Sequence, residues 1–123
     1  MTKKVVANKY DYDFQNDSGF FYITDKKYMS SIESDGIILD FDEDNSLIGI
    51  EILDASKKFQ VSKSALLNIK HFNALIVISK ESIKITTELE IIKRNKVFPK
   101  CVEALTANIL NLPSGTQGIA VTC

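Results

Sequence analysis

The stretch GIILDFDEDNSLIGIEILDAS, residues 36–56, decides how the rest of the chain can fold. On either side of its polar run at residues 43–46, apolar side chains recur at every second position, which is the period of a pleated strand. Asn and Asp bond to their own backbone and tolerate a positive φ. The stretch therefore predicts a β-hairpin whose type I turn is closed by a left-handed Asn45.

The second strand of this hairpin carries its own face pattern. Ile48, Ile50 and Ile52 are predicted to share one face, and Leu47 is predicted to lie on the other. Gly49 stands inside the strand, where a glycine indicates a β-bulge or a close approach of other groups to the backbone.

The same stretch resembles a calcium-binding loop. Asp40, Asp42, Asp44 and Glu51 fall at positions 1, 3, 5 and 12 of an EF-hand loop. Asn45 replaces the glycine of that loop, however, and both flanks have the pattern of strands and not of helices. A solvated acidic turn explains the same residues. The four carboxylates are therefore weak metal-ligand candidates, and no metal, cofactor or catalytic group is predicted.

Length and composition are those of one globular domain. The chain has 123 residues, of which 45% are hydrophobic and 25% charged, so it can bury a core without disulfides or metals. We expect a single domain over residues 1–123, with a double-hairpin core at 9–59 and a helix plus further strands at 60–123.

Targeting signals and cysteine usage point to one compartment. The sequence has no apolar run of transmembrane length and no signal-peptide pattern, so we expect a cytoplasmic protein with no membrane partner. Cys101 and Cys123 are too few for a disulfide framework, and free thiols are favoured over a bridge between them.

Charge is divided unevenly along the chain. Residues 1–56 carry 5 lysines and 12 carboxylates, whereas residues 57–123 carry 10 cations and 4 carboxylates. The two halves can lie on opposite faces, meet across an oligomer interface or neutralise each other within a monomer. The sequence leaves these alternatives open.

The N-terminal segment predicts a second hairpin. Aromatic and acidic residues alternate at 10–14, a strong turn signal follows at 16–19, and an apolar strand returns at 20–24. The aromatic residues are interpreted as core, because the acidic surroundings would repel nucleic acid. Residues 1–8 are expected to fray, and residues 25–35 are expected to link the two hairpins.

The second half begins with a short helix and continues in strands. Ser62 is a suitable N-cap for a helix at 62–69. Residues 75–79 are apolar on both faces and predict a central strand. Residues 83–91 alternate cleanly and predict a long strand, whose polar face would also suit an exposed edge that pairs with a partner chain. His71 has no second metal ligand nearby and is interpreted as a structural or surface residue.

The remaining C-terminal segment is less definite. Its basic cluster comprises Lys93, Arg94, Lys96 and Lys100. Without interleaved aromatics or glycines this cluster favours a solvated turn over a nucleic-acid site. Residues 102–112 fit a helix or a strand equally well, and residues 119–121 predict a last short strand.

Together these patterns predict an α+β fold. We expect mainly antiparallel β-hairpins that form a meander-type sheet, with one short helix after Gln60 and a second helix near the C-terminus if residues 102–112 are helical.

The hairpin segments resemble a known family, domain of unknown function 2283. The resemblance covers residues 9–59 and rests on YDYD at 10–13, FFYI at 20–23, DGIILDFD at 35–42 and IGIEILDAS at 48–56. The second half resembles an extension of longer, archaeal-type members. The resemblance implies a strand-based fold but no established activity or catalytic residues. It also implies, as one alternative, an antitoxin-like partner role beside a small toxin.

Three classes of function follow from these observations. A non-enzymatic interaction protein, which forms a homodimer or larger homo-oligomer, is favoured by the charge-divided halves and the lack of an acid, base and nucleophile set. A carboxylate-based metal or ligand binder would require the acidic residues to converge. Nucleic-acid binding ranks last, since the acidic half opposes it.

Overall fold

The computed structural model describes residues 2–122, with the side chains described from residue 6 to residue 121. The chain forms ten strands and two short helices over this range. The elements are β1 (Thr2–Val6), β2 (Lys9–Asp13), β3 (Ser18–Tyr22), β4 (Tyr28–Ser34), β5 (Ile37–Asp42), β6 (Leu47–Ile52), α1 (Ala55–Phe59), α2 (Lys63–Leu66), β7 (Ile69–Ile78), β8 (Ser82–Lys93), β9 (Lys96–Ala107) and β10 (Gly115–Thr122).

The strands form two five-stranded sheets. Sheet A has the order β1-β10-β7-β8-β9, and sheet B has the order β2-β3-β6-β5-β4. All strand pairs are antiparallel except β1 with β10, which is parallel. The chain is thus mostly antiparallel β-structure with two short helices, as predicted. The meander order is confined to β4-β5-β6 and β7-β8-β9.

One hydrophobic core joins the two sheets. The alternate residues of each sheet point inward, and the rings of Phe21 from β3 and Phe72 from β7 stack with their centroids 3.5 Å apart. Tyr10 stacks on the other side of Phe21 at 4.6 Å. Full burial of such side chains stabilises the fold by about 1.5–3 kcal/mol each.

Gln117 of β10 also ties sheet A to sheet B. Its Oε1 accepts a hydrogen bond from the Leu47 N–H at 2.8 Å, and its Nε2 donates to the Asn45 carbonyl at 2.9 Å. These bonds hold the β5–β6 turn against sheet A.

The predicted central hairpin is confirmed as β5 and β6. Asn45 has a φ of 60°, which is the left-handed conformation expected at the end of the turn. The register shifts between Asp40 and Phe41, so β6 carries an extra residue at Ile48. Because of this bulge Leu47 joins Ile50 and Ile52 in the core, whereas Ile48 is buried outside that core cluster. The prediction that Leu47 lies on the face opposite Ile50 and Ile52 was therefore wrong.

The segment predicted to link the hairpins is a strand instead. Tyr28–Ser34 is β4, and it pairs with β5. Asp35 and Gly36 have φ values of 51° and 77°, the positive values that a two-residue type I′ turn requires. The Asp-Gly pair was the sequence signal for this hairpin.

The helices differ from the prediction in two respects. Ser62 caps α2 as expected, since its hydroxyl accepts a hydrogen bond from the Ala65 N–H. An additional helix, α1, precedes Gln60, and no helix forms near the C-terminus within the described range. Residues 102–112 are strand as far as Ala107, because twelve residues of β9 pair with β8.

Two predictions about strand position were also wrong. The long alternating strand is β8, but it lies between β7 and β9 and is not an edge. Residues 2–6, which were expected to fray, form β1 and pair with β10 in register from Thr2 to Val6. The edge strands of sheet A are therefore β1 and β9, and Pro99 lies on β9, where an edge position tolerates its missing N–H.

Neither helix of the described chain has the length and apolar character needed to cross a membrane.

Candidate functional site

The predicted calcium ligands at the β5–β6 turn have different surroundings. Asp42 is buried, and its Oδ1 accepts hydrogen bonds from the N–H groups of Asp44 and Ser46, both at 2.9 Å. This carboxylate therefore serves the turn itself. Asp44 is exposed at the tip.

The other two candidates lie on the outer face of sheet B. Asp40 is half-buried, and burial together with the nearby charge of Glu51 raises the pKa of its carboxyl group. Glu51 accepts a hydrogen bond from the Ser18 hydroxyl at 2.8 Å. The four carboxylates do not converge, and over the described side chains no group of three or more His, Cys, Asp or Glu residues could hold a metal ion.

An aromatic pair covers part of this outer face. The rings of Phe20 and Tyr22 stack at 4.4 Å, and the Tyr22 hydroxyl donates to the Asp11 carboxylate at 2.6 Å. A Cβ placed on Gly49 would lie only 3.3 Å from the Phe20 ring, which confirms the close approach predicted at Gly49. Phe20 and Tyr22 were predicted as core residues, and the structure places them outside it. Phe14, also predicted as core, is half exposed.

The acidic residues of sheet B border a shallow depression of about 340 Å³. Asp11, Asp13 and Glu51 contribute to its wall beside Phe20. All three carboxylates already accept hydrogen bonds within the chain: Asp11 from Tyr22, Asp13 from Asn16 and Glu51 from Ser18. The depression thus has a negative rim whose acceptors are partly satisfied.

Asp17 is the buried carboxylate with the most internal partners. It accepts hydrogen bonds from the Tyr12 hydroxyl at 2.6 Å and from the backbone N–H and the hydroxyl of Ser56 at 2.9 and 2.6 Å. Burial opposes its ionisation, but the bonds from Ser56 and Tyr12 outweigh burial and lower its pKa. Burial and the bond to Asp17 raise the pKa of Tyr12 in turn. This cluster joins the β2–β3 turn to α1 and is structural.

The outer face of sheet A exposes apolar side chains on β7 and β9, the two strands that flank β8. Leu75 and Val77 on β7 are 36% and 44% exposed, and Leu105 on β9 is 65% exposed. Val77 and Leu105 flank Lys84 of β8, since both pair with it in register. We call Leu75, Val77 and Leu105 the outer apolar patch.

Sequence reasoning identified the strand at residues 75–79 but missed this patch. The signal was present, because the strand is apolar on both faces and a sheet in a two-layer fold can bury only one of them. The second apolar face is the one that carries Leu75 and Val77.

The basic cluster lies at the β8–β9 hairpin. Arg94 and Asn95 form its two-residue turn with φ values of 53° and 62°, and Lys93 pairs with Lys96 across it. The predicted turn is confirmed and Arg94 is exposed in it, whereas Lys100 lies on β9 and is half-buried. The acidic half of the sequence builds sheet B and the basic half builds most of sheet A, so the opposite charges occupy the two layers of the fold.

The remaining candidate residues have ordinary positions. His71 is half-buried on β7 across from Glu90 of β8. Cys101 is a free, exposed thiol on β9. Cys123 lies outside the described residues.

Comparison with known proteins gives relatives but no assigned site. The family model described as "Protein of unknown function (DUF2283)" matches residues 9–56. An uncharacterized protein of Methanocaldococcus jannaschii is 37% identical over 108 residues, which cover 87% of this chain and 93% of the relative. No solved structure matches the chain.

A second relative has an activity in its name. A Methanosarcina mazei protein named "Putative hypoxanthine phosphoribosyltransferase" is 51% identical over 123 residues, which are 100% of both chains. The similarity therefore extends beyond residues 9–56 through β7, β8, β9 and β10.

Proposed function

Because this chain belongs to the DUF2283 family of proteins of unknown function, we propose a role for it from its surfaces. It is a non-enzymatic association module that forms a homodimer through the outer face of sheet A. The observation that carries this proposal is the outer apolar patch of Leu75, Val77 and Leu105. Exposed apolar side chains grouped on one face of a protein mark interaction surfaces more often than isolated ones do.

The size of the face fits a small dimer interface. Five strands about 4.8 Å apart make it about 24 Å wide, and the outward residues of β8 span about 20 Å. The face thus offers about 500 Å² per copy and about 1,000 Å² for a pair, which is the lower limit expected of a specific interface. Burial of the patch would supply the apolar centre that such an interface needs.

The charges on β8 are self-complementary. Lys84 and Glu88 both face outward, each two residues from Thr86. A two-fold axis that lies in the interface and runs across β8 above Thr86 would place Lys84 of one copy opposite Glu88 of the second copy, twice in the dimer. Isologous dimers require a surface that complements itself in this way, whereas a purely acidic or basic face would repel its copy.

The activity in the name of the Methanosarcina mazei relative is not part of this proposal. Phosphoribosyl transfer requires a site for a multiply charged phosphate substrate, and the N-terminus of a helix is one common place for such a site. The helices that the structure describes have five and four residues. The comparisons also bring no catalytic residue to this chain.

Sedimentation velocity across a concentration series tests the proposal. We expect the wild-type chain to be dimeric at tens of micromolar, and Val77→Glu to shift it to monomer. Met29→Glu is the matched control, because Met29 is an exposed apolar residue on β4 of sheet B and its substitution should leave the dimer intact. A wild-type monomer at hundreds of micromolar would refute the proposal.

A charge exchange tests the two-fold arrangement specifically. Lys84→Glu and Glu88→Lys should each weaken the dimer by about tenfold or more, because each creates two like-charge contacts. The double exchange should restore the association. A wild-type monomer that co-purifies with a second small polypeptide would replace self-association with a heteromeric role, such as that of an antitoxin.

A further inference from the structure

We propose that a cleft at the β8–β9 end of the molecule binds a small phosphorylated ligand with a planar ring, of the nucleotide class. The cleft lies between the segment that joins α1 to α2 and the inward side of the β8–β9 hairpin. Its volume is about 660 Å³, which falls within the range of small-molecule sites. Its lining includes Val61, Ser62, Ser64, Lys93, Phe98 and Lys100.

The hairpin projects its inward side into this cleft. Lys100 of β9 pairs with Leu89 of β8, and Phe98 pairs with Ile91. Leu89 and Ile91 are core residues. Lys100 and Phe98, which pair with them, therefore lie on the same core-facing side of sheet A. The joining segment leaves them partly uncovered, which is how the cleft arises.

Two ammonium groups give the cleft a positive charge without a matching carboxylate. Lys100 is half-buried and Lys93 is exposed. Among the described side chains neither lysine makes an ion pair or a hydrogen bond. A half-buried ammonium has lost part of its hydration, so an incoming anion gains more from it than from a fully solvated lysine. Phosphate is the anion that lysine commonly binds as a point charge.

Hydroxyl groups line the wall of the cleft that faces the hairpin lysines. The Ser62 oxygen accepts a hydrogen bond from the Ala65 N–H at 3.2 Å, which leaves its own proton available to donate. Ser64 contributes a second, exposed hydroxyl to the lining. Hydroxyl and ammonium donors that line one cleft can together satisfy several phosphate oxygens.

An apolar wall completes the site. Phe98 is 40% exposed, Ile91 is buried behind it, and Val61 is half-buried across the cleft. An exposed aromatic ring offers a stacking surface for a planar base or a similar ring. The cleft therefore combines a charged part and a flat apolar part, and a bare anion or an uncharged ring would use only one of them.

A small ligand fits this site better than a nucleic-acid chain does. The basic groups are confined to one hairpin, while sheet B presents acidic residues that would repel an extended polyanion. The site is also separate from the outer apolar patch, because the cleft lies on the inward side of the hairpin. Ligand binding and dimerisation can thus fail independently.

Isothermal titration of the full chain with AMP, GMP and UMP, each in turn, tests the proposal. At least one nucleotide should bind with a dissociation constant below 1 mM, and adenosine and inorganic phosphate should each bind about tenfold more weakly or worse. Lys100→Gln should weaken the best nucleotide by about tenfold or more, and Phe98→Leu should weaken it as well. Lys80→Gln is the control, because Lys80 is an exposed lysine in the β7–β8 turn.

Several results would overturn the proposal. They are the failure of all three nucleotides to bind at 5 mM, inorganic phosphate that binds as tightly as the best nucleotide, and an unchanged affinity in Lys100→Gln. Urea unfolding of each variant shows whether it is folded as the wild type is. If Lys100→Gln is unfolded, the Phe98→Leu titration and the comparison with inorganic phosphate and adenosine still decide the outcome.

Discussion

The carboxylate of Asp17 accepts hydrogen bonds from both the backbone N–H and the side-chain hydroxyl of Ser56, at 2.9 and 2.6 Å. These residues are separated by 39 positions in the sequence. The pair fastens the β2–β3 turn to the start of α1, and the Ala55 N–H adds a bond to the Asp17 carbonyl. Asp17 also has a φ of 54°, which Asp and Asn tolerate better than most residues.

Asp17→Asn should therefore lower the stability of the fold. Asn keeps the backbone preference and the size of the side chain, but it removes the charge and replaces one of the two acceptor oxygens with an NH2 donor. We expect a loss of about 1–2 kcal/mol in urea unfolding at pH 7, because hydrogen bonds to a charged acceptor become neutral ones. Asp25→Asn is the control, since Asp25 is exposed in the β3–β4 connection. Equal stability of the two variants would contradict the role of Asp17.

The same variant predicts a pH dependence. The pKa of Asp17 is lowered in the fold from the ordinary value of 3.8, so its charge stabilises the protein fully above that value. The contribution is lost as the pH falls through the lower pKa of the folded state. The stability difference between wild type and Asp17→Asn should thus be largest at neutral pH and disappear in strong acid. Unfolding series between pH 7 and pH 2 measure it.

Asp40→Asn should have the opposite effect. Burial and the charge of Glu51 raise the pKa of Asp40, so the folded state disfavours its ionised form. This favours folding below the ordinary carboxyl pKa, and the benefit is lost as the pH rises through the raised value. At pH 7 the neutral variant should be more stable by about 0.5 kcal/mol, allowing for solvent screening of a half-buried group.

Thermal unfolding of Asp40→Asn at pH 7 and pH 2.5 checks the sign. The gain should be present at pH 7 and absent at pH 2.5, where wild-type Asp40 is itself protonated. Glu33→Gln is the matched control, because Glu33 is exposed on the neighbouring strand β4 and should change little at either pH. A loss of stability at pH 7 would show that the Asp40 charge is needed.

Two asparagines should respond oppositely to substitution. The Oδ1 of Asn73 on β7 is buried and has no hydrogen-bond partner among the described side chains. Asn73→Val should therefore stabilise the fold by about 1 kcal/mol, since it removes an unsatisfied acceptor from a strand. Asn108 bonds to the Ser79 carbonyl and to both backbone groups of Leu112. Asn108→Ala should cost about 2–3 kcal/mol. Urea midpoints that move in the same direction for both would contradict this contrast.

The β8–β9 turn should accept a better turn sequence. Arg94 and Asn95 both have positive φ values, a conformation that costs most residues about 1–2 kcal/mol. Replacing them with Asn-Gly should raise the unfolding temperature, with a gain of about 0.5–1 kcal/mol.

Gly36→Ala in the β4–β5 turn tests the opposite change, because Gly36 has a φ of 77° and an added Cβ would lie 2.7 Å from the Lys58 Nζ. That variant should be less stable.

Local patterns were sufficient for the features whose causes are local. The β5–β6 hairpin, the left-handed Asn45, the Ser62 cap and the alternation of β8 each follow from side chains within a few residues of one another. The turn at the basic cluster follows in the same way. Steric and hydrogen-bonding preferences between residues this close in the chain can be predicted from the sequence alone.

Features that depend on distant partners were not predictable from the sequence. The sequence of residues 102–107 fits a helix as well as a strand, and pairing with β8 along twelve residues makes the segment a strand. Residues 2–6 are a strand because they pair with β10. Sequence alternation shows that β8 has two faces, but not that its edges are covered. Tertiary pairing outweighs weak local propensity in such segments.

The sequence by itself thus determined the β-rich fold class, the central hairpin and the division of charge between two halves. Only the tertiary structure decided that these halves become the two layers of one fold, that Asp17 is a buried link and not a solvated turn residue, and that Lys100 and Phe98 line one cleft. The physical reason is that burial, register and unmatched charge arise from contacts between segments far apart in the chain, which no local pattern specifies.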